Sequence, residues 1–156
     1  MPPVHPPIGL RLASAAGIVR RAFDEALVEA RGSLPVWLVV LNLKIRRPSN
    51  QRELAEAVGV TEATLTHHLN AMESGGLITR RRGTGNRRIH VVELTEAGEE
   101  TFLRLRAAAV AFDRRLRSGI NEDELAGLED VLARLVSNVA ADDQQARWAG
   151  LLEAET

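Results

Sequence analysis

Apolar residues recur every three or four positions along both flanks of this chain, and a short glycine-rich and arginine-rich middle interrupts them. Between Ile8 and Ala30 the spacing of Leu12, Ala16, Val19, Phe23, Ala26 and Leu27 predicts an amphipathic helix that Arg31-Gly32 ends. Ser33 and Pro35 open the next segment, Val36 to Ile45, whose β-branched run fits a strand as well as a buried helix. Pro48 separates this segment from the middle of the chain. Thr95 is placed to cap a helix from Glu96 to about Ser118, and Asn121 to cap another. In that last helix Leu125, Leu128, Val131, Leu132, Leu135 and Val139 form an apolar stripe. Trp148, Leu151 and Leu152 predict a short further helix, whereas four prolines between Met1 and Pro7 predict a loose arm.

The middle of the chain has a different grammar. Asn50 can cap a short helix while Glu53, three residues on, reaches back to complete a capping box. Leu54, Ala55 and Val58 form the buried stripe of that helix. Gly59 supplies a positive φ at its end, Val60 plugs the core, and Thr61 caps a second helix running to Ser74. Leu65, Leu69 and Met72 bury one face of the second helix, leaving Glu62, Ala63, Thr64, Thr66, His67 and Asn70 on the others. Gly75 and Gly76 end it. Thr79 to Arg82 then read as a strand, Gly83-Thr84-Gly85-Asn86 as a turn, and Arg87 to Leu94 as a β-branched return strand. This order is that of a winged helix-turn-helix, so the predicted fold is mainly α with a small β-hairpin wing, flanked by long helices.

The chemistry of that middle points to double-stranded DNA. Short polar side chains near a helix N-terminus suit base edges in a major groove, which makes Thr61, Glu62, Ala63, Thr64, Thr66, His67 and Asn70 candidate contacts. Five arginines, Arg80, Arg81, Arg82, Arg87 and Arg88, fall in nine residues without an acid among them and make a field that attracts phosphates. A narrow hairpin with Arg at its tip fits a minor groove. The net charge of −1 hides a segregation: residues 121–156 hold nine acids against two bases, so the remainder carries a surplus of six positive charges.

Composition narrows the alternatives. A chain of 156 residues with 45% hydrophobic but only 3% aromatic content fits one long helical domain. No cysteine is present, which removes disulfides and thiol-based oxidant sensing and is consistent with a cytoplasmic protein. No stretch reaches the length of a membrane span or forms a signal peptide. His67 and His68 point about 100° apart on a helix, so no metal site is expected, and no cofactor is. No nucleophile triad or phosphate-cradling glycine loop appears, and an enzyme is not expected. A protein-docking winged helix, or a small-ligand-binding protein without DNA affinity, remains the alternative class.

Leu54-Ala55, Gly59-Val60-Thr61, Gly76-Leu77, Asn86-Arg87-Arg88 and Leu94-Thr95-Glu96-Ala97-Gly98 resemble the MarR (multiple-antibiotic-resistance regulator) family of transcription factors over roughly residues 8 to 140. The resemblance implies a helix at 36–45 and first and last helices that intertwine in a two-fold homodimer. The terminal helices have little of their own domain left to cover, which agrees with a dimer. It also implies that Arg88 enters the minor groove, with its neighbour Arg87 as the rival contact and Asn86 standing where the family usually has an orienting Asp. The division expected is an arm at 1–7, supporting helices at 8–47, the DNA-binding lobe at 48–95, dimerisation helices at 96–141 and an extension at 142–156. Finally, it implies a repressor that binds a pseudo-palindromic operator and is released by a small aromatic or phenolic effector. Phe23, Trp37, His68 and Phe102 are the candidate lining residues by position, with His68 half-buried beneath the second helix.

Overall fold

Buried side chains from four helices and a hairpin meet around one helix, which runs through the centre of the main unit. The computed structural model describes residues 6–46, 50–82 and 90–140, and describes the side chains of neither Arg82 nor His90. In chain order the elements are α1 (Ile8–Glu29), α2 (Leu34–Ile45), α3 (Gln51–Val58), α4 (Glu62–Ser74), β1 (Ile78–Arg82), β2 (His90–Leu94), α5 (Glu96–Leu116) and α6 (Glu122–Val139). The chain divides into two compact units, one ending at Asp113 and the other beginning at Arg114.

The segment that reads equally as strand or helix is α2. Ser33 caps it by accepting from the Val36 N–H at 3.4 Å, and Pro35 occupies its first turn. Trp37, Val39, Val40 and Asn42 are buried, while Val36, Leu41 and Leu43 pack partly buried against the same core. A helix covered on several sides has no polar face, so its sequence loses the 3.6-residue period. The one buried side-chain amide among the described residues, Asn42, donates to the Leu38 carbonyl at 2.8 Å and is satisfied on its own helix. Leu27 of α1, Leu54 of α3, Leu65, Leu69 and Met72 of α4, Ile78 and Val92 of the hairpin, and Phe102 and Leu105 of α5 complete the core.

Packing, rather than its own dihedral, fixes the glycine at the end of α1. The left-handed residue there is Arg31, with φ 58°, and not the adjacent glycine. Gly32 is small because a Cβ there would lie 2.4 Å from a Leu105 methyl carbon. At the start of α5, Thr95 accepts from the Gly98 N–H at 3.1 Å and donates its hydroxyl to the Gly76 carbonyl at 2.6 Å. That bond joins the helix start to the turn that follows α4. Arg104 of α5 donates through Nε to the Ala30 carbonyl at 2.8 Å and satisfies one of the last carbonyls of α1. Lys44 of α2 pairs with Glu99 of α5 at 2.8 Å.

The strands pair antiparallel with Ile78 opposite Leu94, Arg80 opposite Val92 and Arg82 opposite His90. Ile78 and Arg80 therefore share one face and Thr79 and Arg81 the other.

In the second unit α6 begins with the full capping box that its sequence offers. The Asn121 side chain accepts from the Glu124 N–H and the Glu124 carboxylate accepts from the Asn121 N–H, both at 2.9 Å. No residue of α6 is buried. Leu128, Val131 and Val139 are exposed.

Candidate nucleic-acid interface

The geometry of the middle lobe begins with its caps. Asn50 accepts from the Glu53 N–H at 3.0 Å, and the carboxylate of Glu53 takes the Asn50 side-chain amide at 3.2 Å. Gly59 adopts φ 80°, and the Val60 N–H returns to the Ala55 carbonyl at 3.1 Å, so α3 stops abruptly. Thr61 then accepts from the Thr64 N–H at 3.2 Å, and the two threonine hydroxyls lie 2.9 Å apart. These caps set the start of α4. Burial of Leu65, Leu69 and Met72 sets its rotation.

With that rotation fixed, Thr61, Glu62, Ala63, Thr64, Thr66, His67 and Asn70 are all exposed. The Thr66 hydroxyl donates to the Glu62 carbonyl at 2.8 Å, which leaves its oxygen lone pairs and methyl group outward. Glu62 lies in the first turn, where its charge suits the helix dipole.

The arginines are not equivalent. Arg80 turns toward α4: its Nε donates to Glu73 at 3.0 Å and its Nη2 to the Asn70 amide oxygen at 2.7 Å. Its backbone N–H also donates to Glu73, at 3.3 Å. Only 20% of the Arg80 side chain is exposed. Arg81, on the opposite face of the hairpin, donates through Nε to Glu93 at 2.9 Å. The hydrogen bond and charge of Glu93 raise the Arg81 pKa above its ordinary value. Both of the guanidinium groups that the structure describes here are thus partnered by carboxylates of this chain. Neither partner was read from the sequence: a turn at Gly83–Asn86 sets Arg81 opposite Arg88, whereas the observed register, with Thr79 opposite Glu93, places Glu93 diagonally across from Arg81. Glu73 was missed because nothing local tells which side of α4 meets β1. Arg82 closes β1, while its side chain, and Asn86, Arg87 and Arg88 altogether, lie outside the described residues.

The four residues expected to line one effector site occupy different surroundings. Trp37 and Phe102 stack on each other with ring centroids 6.2 Å apart and planes 11° apart. Phe23 tilts against Phe112 at 5.1 Å. His68 is half-buried, as expected, and lines a cleft of about 220 Å³ between the start of α2 and α4. Ser33, Pro35 and Val36 form one wall of that cleft; His67, Ala71, Met72 and Leu77 complete it. Among the described residues no group of three or more His, Cys, Asp or Glu side chains is arranged to hold a metal ion. No single helix there is long and apolar enough to cross a membrane.

Comparison with known proteins agrees with this architecture. The family model described as "MarR family" matches residues 33–90. The crystal structure of transcriptional regulator PA3341 is 33% identical, with 85% of this chain and 97% of that one aligned at a TM-score of 0.70. The transcriptional repressor CouR, bound to a 23-mer DNA duplex, is 27% identical over 83% of this chain and 92% of its own, also at 0.70. A structure of CouR from Rhodococcus jostii RHA1 bound to p-coumaroyl-CoA shares the fold at 24% identity and a TM-score of 0.66, covering 86% and 95%. Its core, its capped helix-turn-helix and its hairpin place this chain in the MarR family of transcriptional regulators.

Proposed function

We propose that this regulator is a homodimer that binds a pseudo-palindromic operator in double-stranded DNA, represses from it, and is released by a small aromatic effector. The observation that carries the reading is α4: capped by Thr61, rotated by three buried apolar residues, and lined with exposed Ala63, Thr64, Thr66, His67 and Asn70 beside an arginine-bearing hairpin. Bases are read by Thr64, Thr66 and His67, with Ala63 against a thymine methyl. Arg82, Arg87 and Arg88 supply the attraction to phosphates and the minor-groove contact, because Arg80 and Arg81 already have carboxylate partners.

Exposed apolar side chains on the terminal helices support the dimer. Ile8, Leu10 and Ile18 of α1, Leu103 and Val110 of α5, and Leu128 and Val131 of α6 all lie open in the protomer. A two-fold dimer covers such faces and sets two α4 helices about 34 to 36 Å apart, one turn of duplex. The cleft at His68 supports the effector reading, since anything wedged between α2 and α4 changes where α4 points. Release requires tighter effector binding in the DNA-free state, so saturating operator must weaken effector binding by the same factor.

Selection of bound fragments from random duplex DNA tests the whole reading. The expected product is a palindrome whose half-sites lie about 10 base pairs apart, or a multiple of that. A monomer in solution with no duplex preference at low salt would overturn it.

A further inference from the structure

Asn70 lies on the outward side of α4, eight residues after the first helical position Glu62, and its amide oxygen is already engaged. Arg80 reaches it from β1 with Nη2 at 2.7 Å. An arginine can only donate, so the atom facing it must be Oδ1, and the orientation of the amide follows from chemistry rather than from atom assignment. Arg80 is held in turn by Glu73, one turn further along α4, through its Nε and its backbone N–H. The guanidinium is mostly covered, in contrast to Arg81. The hairpin thus fixes the direction of a side chain on the helix.

We propose that Arg80 is a positioning residue that fixes the Asn70 amide and presents its Nδ2 group outward as the donor to a hydrogen-bond acceptor on duplex DNA. The proposal rests on the proposed DNA-binding function. Its consequence is a specificity statement. An unrestrained asparagine pairs with adenine by using oxygen and nitrogen together, receiving from N6 and donating to N7. Arg80 takes one of the two lone pairs of Oδ1 and turns that oxygen toward the hairpin, so Nδ2 is the group presented outward and the partner is an acceptor: a phosphate oxygen, a purine N7, a guanine O6 or a thymine O4. Arg80 contributes no phosphate contact of its own.

The experiment uses the full chain and the duplex that the unsubstituted protein selects from a random pool. Asn70→Ala weakens binding about tenfold, the usual value of one charge-assisted or well-placed hydrogen bond. Asn70→Asp keeps an acceptor for Arg80 but lacks the donor, and is expected to lose at least as much. Arg80→Ala frees the amide and costs a similar factor, which Arg80→Lys partly restores. In the Asn70→Ala background Arg80→Ala costs little more, because the side chain that it positions is gone. A purely structural Arg80 would show the same loss in both backgrounds, and that result overturns the proposal, as does wild-type binding by Asn70→Asp.

Two modified duplex series separate the sources of the acceptor. Neutral methylphosphonates replace single phosphates in one, and purine N7, guanine O6 and thymine O4 acceptors are removed singly in the other. The substitution that abolishes the difference between wild type and Asn70→Ala identifies the partner, and a difference that survives every substitution refutes the contact. If the unsubstituted chain selects no duplex, the DNA-binding reading itself has failed and this proposal falls with it.

Discussion

Gly98 sits directly against the backbone of Leu77: a Cβ added to it would lie 2.0 Å from the Leu77 carbonyl oxygen. The first turn of α5 therefore abuts the chain that leaves α4 for the hairpin. Thr95 strengthens the same junction, with its N–H donating to that Leu77 carbonyl at 3.0 Å and its hydroxyl to the Gly76 carbonyl. The first turn of α5 and the turn that follows α4 are thus joined by two hydrogen bonds and a backbone contact.

Gly98→Ala is expected to destabilise the chain by about 3 kcal/mol, because the clash is with backbone and no flexible side chain can yield. Urea unfolding followed by circular dichroism checks it. A change within about 0.5 kcal/mol, the range of ordinary surface substitutions, would mean that the junction is looser than this backbone contact implies.

The end of α1 makes an opposed pair of predictions. Arg31 holds φ 58°, which costs a non-glycine residue about 1 kcal/mol. Arg31→Gly is therefore expected to be neutral or slightly stabilising, and Gly32→Ala to destabilise by about 1 to 3 kcal/mol as Leu105 is pushed from its place. Thermal unfolding of the two variants decides. The reverse order would assign the left-handed position to the glycine after all.

Glu93 neutralises Arg81, so Glu93→Gln is expected to tighten duplex binding and steepen its dependence on salt by about one counterion. Arg88→Ala is expected to weaken binding across most sequences and flatten that slope by a similar amount. Titrations between low and moderate salt provide both slopes. If Glu93→Gln leaves the slope unchanged, Arg81 does not approach the phosphates even when released.

Thr66 has its proton committed to the Glu62 carbonyl, so it offers outward only an oxygen that accepts and a methyl group. Thr66→Ala is expected to relax the choice of base at one position by about tenfold while sparing binding to random duplex. Equal losses on the selected and random duplexes would contradict this role.

Leu128 and Val131 lie on one side of α6 and are 51% and 42% exposed in the protomer. Replacing both by Glu leaves the capping box of α6 intact and is expected to shift the chain to monomer in sedimentation, with helical content retained. A dimer of unchanged stability would move the interface elsewhere.

Much of this architecture was legible because the signals are local. Asn50, Thr61, Thr95 and Asn121 cap helices through bonds that span three residues, and Gly59 accommodates a dihedral that its own neighbours impose. The stripe of Leu65, Leu69 and Met72 likewise follows from helical periodicity alone, and with it the set of side chains that α4 leaves exposed. The helix at α2 became clear only through resemblance, since burial on several sides removes the very period by which a helix is recognised. Wing-tip Asn86, Arg87 and Arg88, the arm before Pro6 and the C-terminal Trp148, Leu151 and Leu152 lie outside the described residues.

Partnerships across the fold were decided by tertiary structure. A row of arginines announces positive charge, but only the approach of β1 to α4 commits Arg80 to Glu73 and Asn70. Trp37, Phe102, Phe23 and Phe112 announce aromatic surface, yet packing alone makes one stacked and one tilted pair of them and places His68 at a separate cleft. The physical reason is one of range. Caps, turns and helical faces depend on neighbours within a few bonds and are encoded residue by residue, whereas the partner of a charge or an aromatic ring depends on which surfaces meet once the chain has folded.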